Sequence, residues 1–130
     1  MREYQGRNEK VRLDHLELKK DDGVKRKPLI VIHGFLSSKT SFKPLFDQEQ
    51  ILEKRDCYLI DLRNSEYSDW HDENSYELYA ADVIRWADKQ GIWKFDLFGH
   101  SMGGKLVQVI SCLYPDRVNA VISLDGAPVK

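Results

Sequence analysis

The chain reads as an α/β protein built on a parallel sheet, and three stretches carry that reading. An apolar run at Phe95, Leu97 and Phe98 gives way, at Gly99-His100-Ser101-Met102-Gly103-Gly104, to a helix-forming stretch from Lys105 to Tyr114. An earlier apolar run, Leu29 to Ile32, ends in the turn His33-Gly34. An amphipathic helical segment lies between them, and strand, helix, strand repeats require parallel pairing, because the crossover returns each strand in the same direction.

Each element has its own signal. Leu29-Ile30-Val31-Ile32 is apolar at every position, as a strand buried on both faces is. The next helix opens at Ser75, a good N-cap, with Glu77 in the first turn and Tyr79, Val83 and Trp86 along one stripe; Gly91 closes it. Ile92 to Gly99 is the strand that leads into the serine. Leu106, Val107, Ile110 and Leu113 form the buried face of the following helix, which Pro115 stops. Val118 to Leu124 is a last strand, again apolar toward both faces, and it expects a neighbouring strand and covering helices. A partner, or chain beyond Lys130, is expected to cover it.

Residues 99–103 have the form Gly-x-Ser-x-Gly, a nucleophile elbow. A turn from strand directly into helix strains its central residue, and a side chain at Gly99 or Gly103 would meet the neighbouring chain. Ser101 is therefore the candidate catalytic nucleophile. The same turn aims the first helical amides at the space before the serine hydroxyl, so the Met102 N–H is a candidate oxyanion donor. A strand followed by His33-Gly34-Phe35 has the form of an oxyanion loop. Its Phe35 N–H is the second candidate donor, and His33 is expected to hydrogen-bond inside the loop rather than to move protons.

Five stretches follow one another as landmarks of a known superfamily do: HGFLSSKTSF (33–42), DLRN (61–64), SYE (75–77), GHSMGGK (99–105) and YPDRVNAVISLDGAPV (114–129). On these the chain resembles the α/β-hydrolases, and within them the esterase-like group that holds abhydrolase domain-containing protein 11 and the bacterial YbfF-type esterases. The likeness runs from about residue 13 to 129. It implies a doubly wound, mostly parallel sheet, with strands near 11–19, 29–33, 57–62, 94–98 and 118–124 and helices near 41–54, 76–90 and 103–114. It also implies that residues 1–130 are a partial hydrolase domain, since 130 residues are about half of what such a fold needs. The last strands, the cap and the loop bearing the family's histidine are then expected beyond residue 130. Ser65-Glu66 and Ser37 stand where the group carries histidine-glycine and glycine, so the loops bordering the site are expected to differ in shape.

Serine needs a base, ordinarily a histidine oriented by a carboxylate. Of the four histidines, His33 belongs to the oxyanion turn, His100 should point away from the serine, His15 precedes the sheet core, and His71 lies in a polar loop; none is the expected base. Asp125, just past the last strand, is a candidate acid, with a helix-cap or loop role as the alternative. Asp61 and Arg63 are expected to pair with each other or to brace their loop. The reading is thus a serine hydrolase that cuts a carboxylic ester or thioester through an acyl-enzyme, acyl transfer remaining open. The alternative is a catalytically inactive fragment or pseudo-enzyme that serves as a binding or assembly module.

Composition excludes other classes. Twenty basic against 21 acidic residues leave a net charge of −1, with no footprint for nucleic acid. No run approaches the ~18 apolar residues of a membrane span, and no secretory signal pattern follows Met1, so an intracellular protein, cytoplasmic or mitochondrial, is expected. Cys57 and Cys112 have no metal or redox spacing and are expected to be reduced and buried; Trp70, Trp86 and Trp93 are expected in the core or lining the site. No cofactor and no metal is implied.

Overall fold

Five strands form one sheet in the order β1-β3-β2-β4-β5, in a computed structural model that describes residues 11–34, 38–64, 68 and 75–124. The strands are β1 (His15–Leu18), β2 (Lys27–Ile32), β3 (Arg55–Ile60), β4 (Phe95–His100) and β5 (Val118–Leu124). β1 runs antiparallel to β3, and every other pairing is parallel.

Alternation along the strands sends side chains to two faces. Ile30, Ile32, Ile60 and Leu97 point to one side, where they meet Ala80, Val83, Ile84 and Ala87 of α3 (Tyr76–Lys89) and Leu106, Val107 and Ile110 of α4 (Met102–Leu113). Leu29, Val31, Cys57, Leu59 and Phe98 point to the other, under a 3-10 turn (Lys39–Phe42) and two single-turn helices, α1 (Lys43–Phe46) and α2 (Glu49–Leu52). The sheet is helix-covered on both faces, the doubly wound arrangement the sequence predicts. Each such Leu or Ile contributes about 1.5–3 kcal/mol by leaving water.

The caps of α3 follow the sequence. The Ser75 hydroxyl accepts the Leu78 N–H at 3.1 Å. At the other end Gly91 takes φ 74°, and the Gly91 and Ile92 amides bond back to the Asp88 and Ala87 carbonyls, the paired bonds of a Schellman turn. The single helix expected over 41–54 is instead broken into three pieces. Pro44 lacks a donor and restarts the chain as α1, and Asp47 (ψ 62°) and Gln48 (ψ 143°) leave helical conformation before α2 begins. β1 is likewise shorter than the expected 11–19.

One expectation about β3 is corrected. Asp61 and Arg63 do not pair with each other. Arg63 turns to α3 and clamps Asp82 through Nε (2.6 Å) and a terminal nitrogen (2.8 Å), with both residues buried. Asp61 turns to Lys39, so the bracing half of the expectation holds. Removing one partner of a buried bidentate pair leaves the other charge with much less compensation. Asp82→Ala is therefore expected to lower the unfolding free energy in urea by about 3–5 kcal/mol, and a loss below about 1 kcal/mol would show that Arg63 finds water instead.

β5 lies at the edge of the sheet. Only Val118 and Val121 are half-buried, while Ile122 (56 % exposed) and Leu124 (45 %) stand open, the uncovered strand that its two-sided apolar pattern anticipates. Trp93 is also exposed rather than in the core; one ring face carries the buried Arg117 guanidinium 4.3 Å from its centroid.

Candidate active site

The strand order reverses at β2. Its neighbours are β3 on one side and β4 on the other, so the crossover from β3 returns past β2, and the crevice at the carboxyl ends of β2 and β4 is where open α/β sheets bind ligands. His33-Gly34 leaves β2 there, and His100-Ser101 ends β4 there.

Ser101 sits at φ 57°, ψ −119°, a conformation that costs a non-glycine residue about 1–3 kcal/mol. Three contacts hold it. Its N–H donates to the Leu124 carbonyl of β5 at 3.0 Å, and its own carbonyl accepts the Gly104 and Lys105 amides at 2.9 and 3.2 Å, starting α4. A Cβ on Gly99 would land on the Gly103 carbonyl, and one on Gly103 would fall 2.6 Å from the His33 oxygen and closer still to that of Ile32. The collisions expected at the elbow are therefore real, and they seat the start of α4 directly on the end of β2.

Ser101 occupies the N-cap position of α4, yet its side chain makes no capping bond and is exposed. Met102 is the first helical residue, whose amide has no carbonyl one turn behind it to bond. Gly34 completes this corner, since a Cβ there would come within 3.2 Å of both the His100 oxygen and the Ser101 Cβ. Phe35 and Asp125 lie outside the described residues, as do His71 and Trp70.

Of the described histidines, His33 is placed as expected. The Leu62 N–H donates to His33 Nε2 at 3.1 Å, so Nδ1 carries the proton and donates to the Gly34 carbonyl at 2.7 Å. The buried His33 ring is thereby built into the turn. His100 lies edge-on to Phe42, with ring centroids 5.5 Å apart. His15 accepts the Trp86 indole N–H on β1, at the far edge of the sheet.

Sequence reasoning missed a polar cluster beside this corner. Asp61, fully buried, accepts the Lys39 backbone N–H (2.6 Å) on one oxygen and Lys39 Nζ (2.8 Å) on the other. Nζ also reaches Asp14 at 2.9 Å. The Asp14 N–H donates to Ser68 Oγ, which donates in turn to the Asp61 carbonyl. Burial alone depresses the Lys39 ammonium, but the two carboxylates outweigh it and hold its pKa above the usual lysine value. An isolated lysine amid polar residues carries no such signal in sequence.

The two cysteines differ. Cys57 is buried, and burial, helped by the negative charge of Asp56, pushes its thiol up to about 11. Cys112 is exposed, against expectation, because it falls on the solvent side of α4. At pH 8 about one Cys57 thiol in a thousand is ionised, so iodoacetamide should add one group to the folded chain, at Cys112, and a second only on unfolding. Two adducts on the folded chain by mass spectrometry would contradict the burial. Among the described residues no group of acids, histidines and cysteines has the geometry to hold a metal ion, and no helix is long and apolar enough to cross a membrane.

Residues 27–129 match the family model described as alpha/beta hydrolase fold. Esterase YbfF of Escherichia coli is 30 % identical over 102 residues, covering 78 % of this chain and 39 % of that protein. Ethanol acetyltransferase 1 of Cyberlindnera jadinii is 30 % identical over 105 residues, covering 79 % of this chain and 31 % of that protein. A solved marine microorganism esterase superposes with a TM-score of 0.78 at 28 % identity, over 85 % of this chain and 40 % of its own. The chain thus spans 26–39 % of the length of the curated relatives above and akin to them, and 35–44 % of the solved chains it superposes on.

Proposed function

Since this chain belongs to the alpha/beta hydrolase family, we propose that Ser101 is the nucleophile of a serine hydrolase acting on a carboxylic ester or thioester. Its Oγ bonds to the substrate carbonyl carbon while a base takes the hydroxyl proton; the oxyanion is met by the Phe35 and Met102 amides. Collapse breaks the bond to the leaving alcohol or thiol, which receives that proton, and water then releases the acid from the acyl-enzyme. An alcohol in place of water would give acyl transfer, the activity named for the acetyltransferase relative. Residues 1–130 are then part of a hydrolase domain whose base is a histidine beyond residue 130, with Asp125 as a candidate acid.

The observation that carries this reading is the backbone of Ser101. A serine held at positive φ at the N-cap of α4, without capping it, has a hydroxyl committed to no structural bond, at the crevice where the strand order reverses. A second reading, a binding or assembly module without chemistry, draws on the histidines: His33 is built into its turn and His15 lies at the far edge. A fluorophosphonate probe separates the two. Adduct mapped to Ser101 of the intact protein, and absent from its Ser101→Ala variant, supports an activated nucleophile, whereas a folded intact protein that stays unlabelled favours the second reading.

A further inference from the structure

We infer that Asp61 and Lys39 are positioning residues that hold the exit of β2 against Ser101; this rests on the hydrolase reading above. Leu62 and Asp61, adjacent in the chain, anchor both ends of one short stretch. At its start the Leu62 N–H holds the His33 ring at 3.1 Å, and the ring holds the Gly34 carbonyl at 2.7 Å. Past its end the Asp61 carboxylate takes both donors of Lys39, backbone and side chain. Each anchored end touches the elbow. Gly34 lies against the Ser101 Cβ and the His100 carbonyl. Phe42 closes the 3-10 turn that begins at Lys39, and its ring packs on His100 and Phe98 at 5.5 Å.

Stability is a poor reason for this arrangement. A carboxylate with no exposure paired to an ammonium 11 % exposed gives back in desolvation about what it gains in attraction, and apolar residues fill such space as well. What the pair supplies is geometry. Two bonds to one residue fix the turn along two directions, and a third, from Asp14, closes the ring through Ser68. Displacing a reacting group by about 1 Å costs up to ~100-fold in rate, so a residue that touches no substrate can still govern turnover.

The test uses Asp61→Asn, Lys39→Met and the conservative Lys39→Arg, with p-nitrophenyl acetate as substrate and a trifluoromethyl ketone as mimic of the tetrahedral oxyanion. Asp61→Asn and Lys39→Met are expected to lower kcat about 10- to 100-fold with KM within about twofold, the affinity for the ketone should fall in step with kcat, and Lys39→Arg should recover most of it. Unchanged kcat, or a loss matched by the unfolded fraction in a thermal melt, overturns the inference. Turnover that persists in Ser101→Ala overturns the hydrolase reading instead. A second readout needs no turnover: amide exchange in the 130-residue chain. Lys39→Met should speed exchange about tenfold at Gly34 and Ser101 and leave α3 unchanged, and acceleration confined to Lys39 means that the anchor does not reach the elbow.

Discussion

Replacing Ser101 with alanine is expected to abolish ester turnover by the intact protein, by about 10⁴-fold or more, while the unfolding free energy moves by less than about 0.5 kcal/mol. The two halves of this result have separate causes. In the proposed mechanism the bond that carries the acyl group cannot form without Oγ, and what remains is only oxyanion contact and binding. The fold loses nothing, because the hydroxyl caps no helix amide and faces solvent. Alanine also keeps the Cβ and with it the strain of φ 57°. Glycine at the same position should therefore be inactive too, yet more stable than wild type by about 1 kcal/mol, since it adopts that conformation freely. Retained turnover in Ser101→Ala would remove the serine from the mechanism. A large loss of stability would mean that its hydroxyl does structural duty.

Gly103→Ala is expected to cost about 3 kcal/mol or more, a large share of a small domain's stability. On an exposed helix the same change would be favourable, because alanine is the better helix former by about 1 kcal/mol. Here the new methyl group meets the backbone oxygens of Ile32 and His33, and backbone at the end of a central strand cannot swing aside as a long side chain can. Either α4 lifts off β2 or β2 moves toward β3, and both undo packing around Leu106 and Val107. Urea unfolding measures the loss; a variant as stable as wild type would show that the helix start is more yielding than the close approach implies.

The parts legible in the sequence were those in which one local rule decides. The pattern from Phe95 to Gly104 gave strand, strained turn and helix because glycine spacing and apolar alternation agree there. Ser75 and Gly91 marked α3 because caps are local chemistry. The helix that the resemblance implies over 41–54 is broken in the structure because Pro44, a residue without a donor, restarts a helix wherever it falls. The polar partners were illegible for a different reason. Asp61 and Arg63 stand two residues apart, which suggests a mutual pair or a braced loop, but their partners, Lys39 and Asp82, come from opposite faces of the sheet. One clue was present. A carboxylate at Asp82 among the apolar residues Leu78 to Ala81, Val83 and Ile84 demands a buried cation, and Arg63 supplies it.

The hydrogen bond from the Ser101 N–H to the Leu124 carbonyl gives the site a place in time. β2, at the middle of the sheet, waits for β3 and then β4, each from progressively later in the chain, so little of this fold can be completed by neighbours in sequence. The serine waits longest. During synthesis its turn cannot be locked when α4 first winds, only when the far end of β5 has left the ribosome and paired with β4. A nascent chain arrested before Leu124 should therefore hold Ser101 in an unset turn, and the corner that carries the proposed nucleophile is among the last features of this region to be finished.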